Sequence, residues 1–187
     1  MHLVDRHSSP PRFATVWHDA GGGQWYLRRG TIGRASPATV IAGAADSATE
    51  QTLIEPYLSE GFRPFPDEDR ADVVIQWPMR SLTGNARDWW LLQRATDFLD
   101  AYLDERGLGY VDGHDSGRRL SSHGGFVQNL FCYVVDGNLG AQAAMSALRA
   151  GRIDATRATI AYSLAGSDDW TVRYERRSAK MPGPFTL

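Results

Sequence analysis

Carboxylates and imidazoles at short spacing bind metals and move protons, and they are densest in the string Gly107-Leu108-Gly109-Tyr110-Val111-Asp112-Gly113-His114-Asp115-Ser116-Gly117, followed by His123-Gly124-Gly125. Asp112, His114, Asp115 and His123 are candidate ligands or an acid/base pair, because such groups on neighbouring strands can converge. The same residues are what a turn uses to reach positive backbone angles and to bond its own amides. With no third firm ligand in view, a turn is the preferred expectation, and no metal or cofactor is expected. Arg28, Arg29 and Arg34 flank Gly30-Thr31-Ile32-Gly33, where free amides and guanidinium groups together would hold a phosphate; a solvated hairpin end is the simpler reading. Arg173, Arg176, Arg177 and Lys180, with Trp170 and Tyr174 interleaved, suit stacking of a single nucleic-acid strand, although the alternation of an ordinary strand accounts for them too. Adjacent Trp89 and Trp90 cannot both face inward from one side of a helix. One of them is expected to pack between modules, or else Trp90 stands exposed as an anchor for a partner protein. Cys132 lies in an apolar run and reads as an inert core thiol. Signatures of the Gly-x-x-x-x-Gly-Lys, Gly-x-Ser-x-Gly and His-Glu-x-x-His types are absent, as are paired cysteines.

Composition narrows the classes. The chain has 187 residues, enough for one large or two small domains, and 42% hydrophobic residues with 6 Trp, 7 Tyr and 7 Phe, enough for a packed core. A net charge of -2 supplies no global field toward nucleic acid or an anionic membrane. Lys180 is the sole lysine, so the cationic side chains are almost all guanidinium groups, spread along the chain. One cysteine and no apolar run of about 18 residues point to a reducing, cytoplasmic setting without a membrane partner.

These residues need elements to position them. Residues 1–11 read as a loose leader. Arg12 to Trp17 and Gln24 to Arg29 alternate as two strands of a hairpin about a Gly-rich turn, with a third short strand at Thr39 to Ala42. Ser47 and Glu50 have capping-box spacing ahead of the stripe Leu53, Ile54, Tyr57 and Leu58, closed at Gly61. Pro64 to Asp72 reads as a linker. Beyond it come a strand at Asp72 to Met79, whose Pro78 belongs near an edge, and a helix from the Asn85/Asp88 cap to about Arg106. Strands at Gly109 to Asp112 and Phe126 to Asp136, a helix capped by Asn138 and stopped at Gly151, and strands at Ala158 to Leu164 and Trp170 to Arg176 complete the chain. The order from residue 72 is βαββαβ.

Two resemblances follow. Residues 12–66, with two strands, Gly-Thr-Ile-Gly, a capped helix and Gly61-Phe62, resemble the WGR domain. The signature here reads Arg29-Gly30-Thr31-Ile32-Gly33, with Arg29 and Thr31 where the eponymous Trp and Arg stand. The resemblance implies contact with DNA ends or neighbouring domains. Residues 83–165, with Gly109-Tyr110-Val111-Asp112-Gly113-His114 before a strand and Asp136 introducing a helix, resemble small bacterial α+β proteins, some of them immunity proteins. The expected architecture is therefore α+β: a WGR-like module at 1–67, a ferredoxin-like βαββαβ sandwich at 72–177, and a loose tail at 178–187. The expected function is a non-enzymatic, bacterial protein-interaction module of immunity or regulatory type, with oligomeric state open. The alternatives are nucleic-acid binding through the Gly30–Gly33 turn and basic tail, and a small-ligand or metal site at Asp112 and His114.

Overall fold

A computed structural model describes residues 1–41, 50–119, 125–175 and 185–187. Among these residues are two antiparallel five-stranded sheets and three helices, an α+β architecture.

The first sheet is built from β1 (His2–Asp5), β2 (Arg12–Asp19), β3 (Gln24–Thr31), β4 (Ala38–Val40) and β5 (Arg63–Pro64), in the order β4-β3-β2-β1-β5. β2 and β3 form the expected hairpin, paired from Arg12 with Thr31 to Asp19 with Gln24. The leader expected to be loose is instead β1, which pairs with both β2 and β5. Four residues suffice because Leu3 and Val4 point to opposite faces and both are buried. Leu3 joins Ala14, Val16 and Ile54 under α1 (Glu50–Ser59), while Val4 turns toward the second half of the chain. Gly61 follows α1 at φ 101°, a left-handed position that favours glycine. The proposed cap Ser47 lies outside the described residues.

The second sheet takes β6 (Ala71–Met79), β7 (Gly109–Arg118), β8 (Phe126–Val134), β9 (Thr159–Leu164) and β10 (Thr171–Tyr174) in the order β10-β9-β6-β8-β7. α2 (Ala86–Asp104) and α3 (Gly137–Ala150) cover one face, where Val73, Ile75, Trp77, Leu130, Cys132 and Ile160 meet Leu92, Leu99, Ala144 and Leu148. α2 begins in a complete capping box: Asn85 accepts from the amides of Arg87 and Asp88, and Asp88 returns to the Asn85 amide. The cap of α3 is Asp136, accepting from the Leu139 amide at 2.8 Å, and not Asn138, which already lies inside the helix. At Pro78 the strand keeps its partner β8 while the pairing with β9 stops at Gln76, so the missing amide costs that ladder nothing.

The segment Asp112 to Gly117, expected as a turn, is strand. β7 runs ten residues along β8, and a register shift between Val111 and Gly113 places Asp112 in a bulge. The strong strand β8 supplies a ladder that overrides turn-like composition.

The two halves meet at the C-terminal end of α2. Gly33 and Ser36, in and just after the Gly30–Gly33 turn, donate their amides to the carbonyls of Arg106 (2.8 Å) and Glu105 (2.9 Å). Phe13 of β2 lies over Gly107, where an added Cβ would stand 2.0 Å from the ring. Arg6 holds Asp67 through two bonds and donates to the Val135 carbonyl at 2.6 Å. Val4, Phe65 and Val135, with Ile32, Tyr110 and Tyr133 beside them, form a shared apolar cluster. Among the described residues no helix is long and apolar enough to cross a membrane.

Candidate functional site

Strand alternation decides what the His/Asp string can do. His114 pairs with Leu130 and its ring meets Trp89 of α2 edge-on at 6.0 Å, on the helix-covered side of the sheet. Asp115, one residue on, pairs with Asn129 and accepts from its Nδ2 at 2.8 Å, on the opposite face. The bulged Asp112 lies by Tyr133, whose phenol is pushed above its ordinary range first by burial and then by the Asp112 charge. The three residues therefore do not converge, and among the described residues no group of three His, Cys, Asp or Glu side chains is arranged to hold a metal. His123, Arg176, Arg177 and Lys180 lie outside the described residues. Arg173 donates to the Asn138 side chain at 3.2 Å, and Trp170 packs on Phe185.

Behind Asp115 lies a polar chain that sequence reasoning missed. Gln76 and Asn129 are 1% and 2% exposed. Gln76 Nε2 donates to Asn129 Oδ1 at 3.0 Å and to the Thr186 carbonyl at 3.1 Å, while Arg119 Nε donates to Gln76 Oε1 at 3.0 Å. The network runs Arg119–Gln76–Asn129–Asp115, each amide satisfied by the next, so it fixes three strands in register and ties residues 185–187 to the sheet. The signal in the sequence was Gln76 amid the apolar run Val73 to Trp77, and Gln128 and Asn129 amid Phe126 to Val134. The tail, expected to be loose, touches the sheet at its described end.

The Gly30–Gly33 turn is committed elsewhere. Arg28 forms an ion pair with Asp104 of α2, lies over the Trp17 ring at 5.3 Å and has a side chain 13% exposed. Burial raises the Asp104 carboxyl despite that guanidinium, with Asp100 and Glu105 adding to the rise. With the Gly33 amide also spent on the Arg106 carbonyl just past that helix, the turn weighed as a solvated hairpin end or a phosphate site joins the two halves of the chain. Arg34 is exposed. Arg29 is exposed as well and borders an open cleft of about 330 Å³ lined by Arg12, Tyr57, Glu60 and Phe62. In that cleft Arg12 is already held by Asp5 at 2.8 Å, which keeps the Asp5 carboxyl below its usual range.

The tryptophan pair does not lie between the modules. Trp89 is 44% exposed and bonds the Thr83 carbonyl through Nε1; Trp90 is 58% exposed, and Leu82 just before the helix is 52% exposed. All three belong to the start of α2 or the residues just before it, and Trp89 meets His114 on β7. Cys132 is buried and its thiol is pushed up by burial and by the nearby Asp100 and Asp112, which leaves it protonated and unreactive. No known protein family matches this chain, and neither does any curated protein or any solved structure.

Proposed function

We propose that this chain is a non-enzymatic protein-interaction module that engages its partner through the start of α2. The observation that carries the reading is the exposure of Trp90, Trp89 and Leu82 at and just before the start of α2. Tryptophan side chains left in water at the tip of a well-capped helix hold unspent apolar area, and such residues dominate binding energy where proteins meet. The strand order β9-β6-β8-β7, which is 4-1-3-2 in the numbering of a βαββαβ unit, supports a ferredoxin-like second half. The β2–β3 hairpin, the Gly30–Gly33 turn and α1 support a WGR-like first half whose turn serves a neighbouring element of the same chain. An immunity or regulatory role is the biological form we infer for such a module.

The test is co-purification of the tagged chain from its native host, followed by titration of the recovered partner. Wild-type protein should retain one stoichiometric partner, and Trp90→Ala should weaken it by about 2 kcal/mol or more with unchanged folding. Recovery of no stoichiometric partner, or equal binding by Trp90→Ala, overturns the proposal.

A further inference from the structure

Trp89 at the start of α2 borders a second unfilled feature. β7 is an edge of its sheet and, among the described residues, the longest edge strand: ten residues, against three in β4, two in β5 and four in β10. Edges of this length expose a row of backbone donors and acceptors, and proteins usually blunt them with lysine, proline or a covering element. β7 contains neither residue type. Its guards are the bulge at Asp112 and the Asp100 carboxylate of α2, which takes the outward Val111 amide at 3.0 Å. From Gly113 to Gly117 neither guard applies, and a Cβ at either glycine would meet nothing within 4 Å.

Charge along this edge has one dominant sign in its first half. Asp100 accepts from the Val111 amide and Asp112 is the next residue of the strand, so both carboxylates belong to this stretch of the edge. Asp97, one helical turn before Asp100, and Asp115 are exposed too. Arg118 at the far end is drawn over the Phe126 ring. The start of α2 adds the apolar wall, since Trp89 touches His114 of this strand.

We propose that the outer edge of β7, centred on Gly113 to Gly117, is a strand-addition site for an extended basic segment of a partner protein. Backbone hydrogen bonds extend the sheet, Asp100 and Asp112 take cations, and Trp89 and Trp90 take apolar side chains at alternate positions. This rests on the protein-interaction reading and names the mode of binding.

The experiment uses the full chain and three synthetic peptides: alternating valine and lysine, alternating valine and glutamate, and the valine-lysine peptide N-methylated at alternate residues. Free valine-lysine peptide at about ten times its Kd should slow hydrogen exchange of β7 amides between 113 and 117 roughly tenfold, and added salt should weaken the effect. The valine-glutamate peptide should bind at least about fivefold more weakly, and the N-methylated peptide, which keeps charge and side chains but loses ladder donors, should give no protection. Equal binding of either control overturns the proposal. Shifts of the Trp89 and Trp90 indoles without protection of β7 overturn strand addition while leaving the tryptophan interface standing. No response to any peptide also overturns strand addition, and the Trp90→Ala titration then judges the wider reading by itself.

Discussion

At the scale of single residues, Gly107 carries two constraints at once. Its φ of 59° is left-handed, and the space above it is filled by the Phe13 ring. Gly107→Ala should therefore cost about 2–4 kcal/mol in urea unfolding, since the methyl group cannot be placed without moving Phe13 or the end of α2. Gln128 presents the opposite case. Among the described residues neither atom of its buried amide has a hydrogen-bond partner, and the same holds for the Trp77 indole nitrogen on the facing strand. Gln128→Met, nearly equal in volume, should raise stability by about 1–2 kcal/mol, read as a higher urea midpoint with unchanged slope. His2 sets a pH dependence. Burial first, and the adjacent amino terminus second, lower its pKa from 6.5 to about 4. The unfolded chain thus takes up the proton before the folded one does. This contribution to stability is complete above pH 6.5 and is lost as pH falls toward 4, at up to about 1.4 kcal/mol per unit. His2→Asn should flatten that part of a stability-against-pH curve.

At the scale of elements, the helix caps are the plainest link between sequence and structure. Asn85→Ala removes the acceptor for two amides and should cost about 1 kcal/mol, seen as a lowered melting temperature. That cap, the α2 stripe and the two long apolar strands were legible because each is a local pattern whose period or spacing has one structural solution. β1 and β5 were not: four residues beside polar flanks and a pair containing Pro64 have too little pattern to declare a strand, and only pairing with β2 and with each other makes them one. β7 was misread for the complementary reason. Its Gly, Asp, His and Ser favour turns locally, and the ladder of β8 outweighs them. The candidate site divides the same way. Helical geometry alone kept one of Trp89 and Trp90 off the inward face, although packing between modules was the preferred reading, whereas the parting of His114 from Asp115 depends on the segment being strand and not turn, since adjacent strand residues face opposite ways.

At the scale of the whole molecule, the question is whether the two sheets fold as one. Their junction combines four kinds of contact that each need both halves: helix carbonyls capped by Gly33 and Ser36, Phe13 on Gly107, Arg28 on Asp104, and the cluster of Val4, Phe65 and Val135. Taking the first half away would uncover apolar side chains of the second and leave the carbonyls of Glu105 and Arg106 to water. Such a junction couples the halves far more tightly than a tether would. Phe65 is 6% exposed and reaches the second half through an edge-on contact with Tyr110 at 6.1 Å. Phe65→Ala should cost about 3 kcal/mol, and because the lost contacts span both sheets it should shift one shared unfolding transition. The measurement is amide exchange of β1 and β6 across a denaturant series. Equal falls in protection for the two strands fit a single cooperative unit, and a fall confined to β1 would show that the first sheet opens by itself.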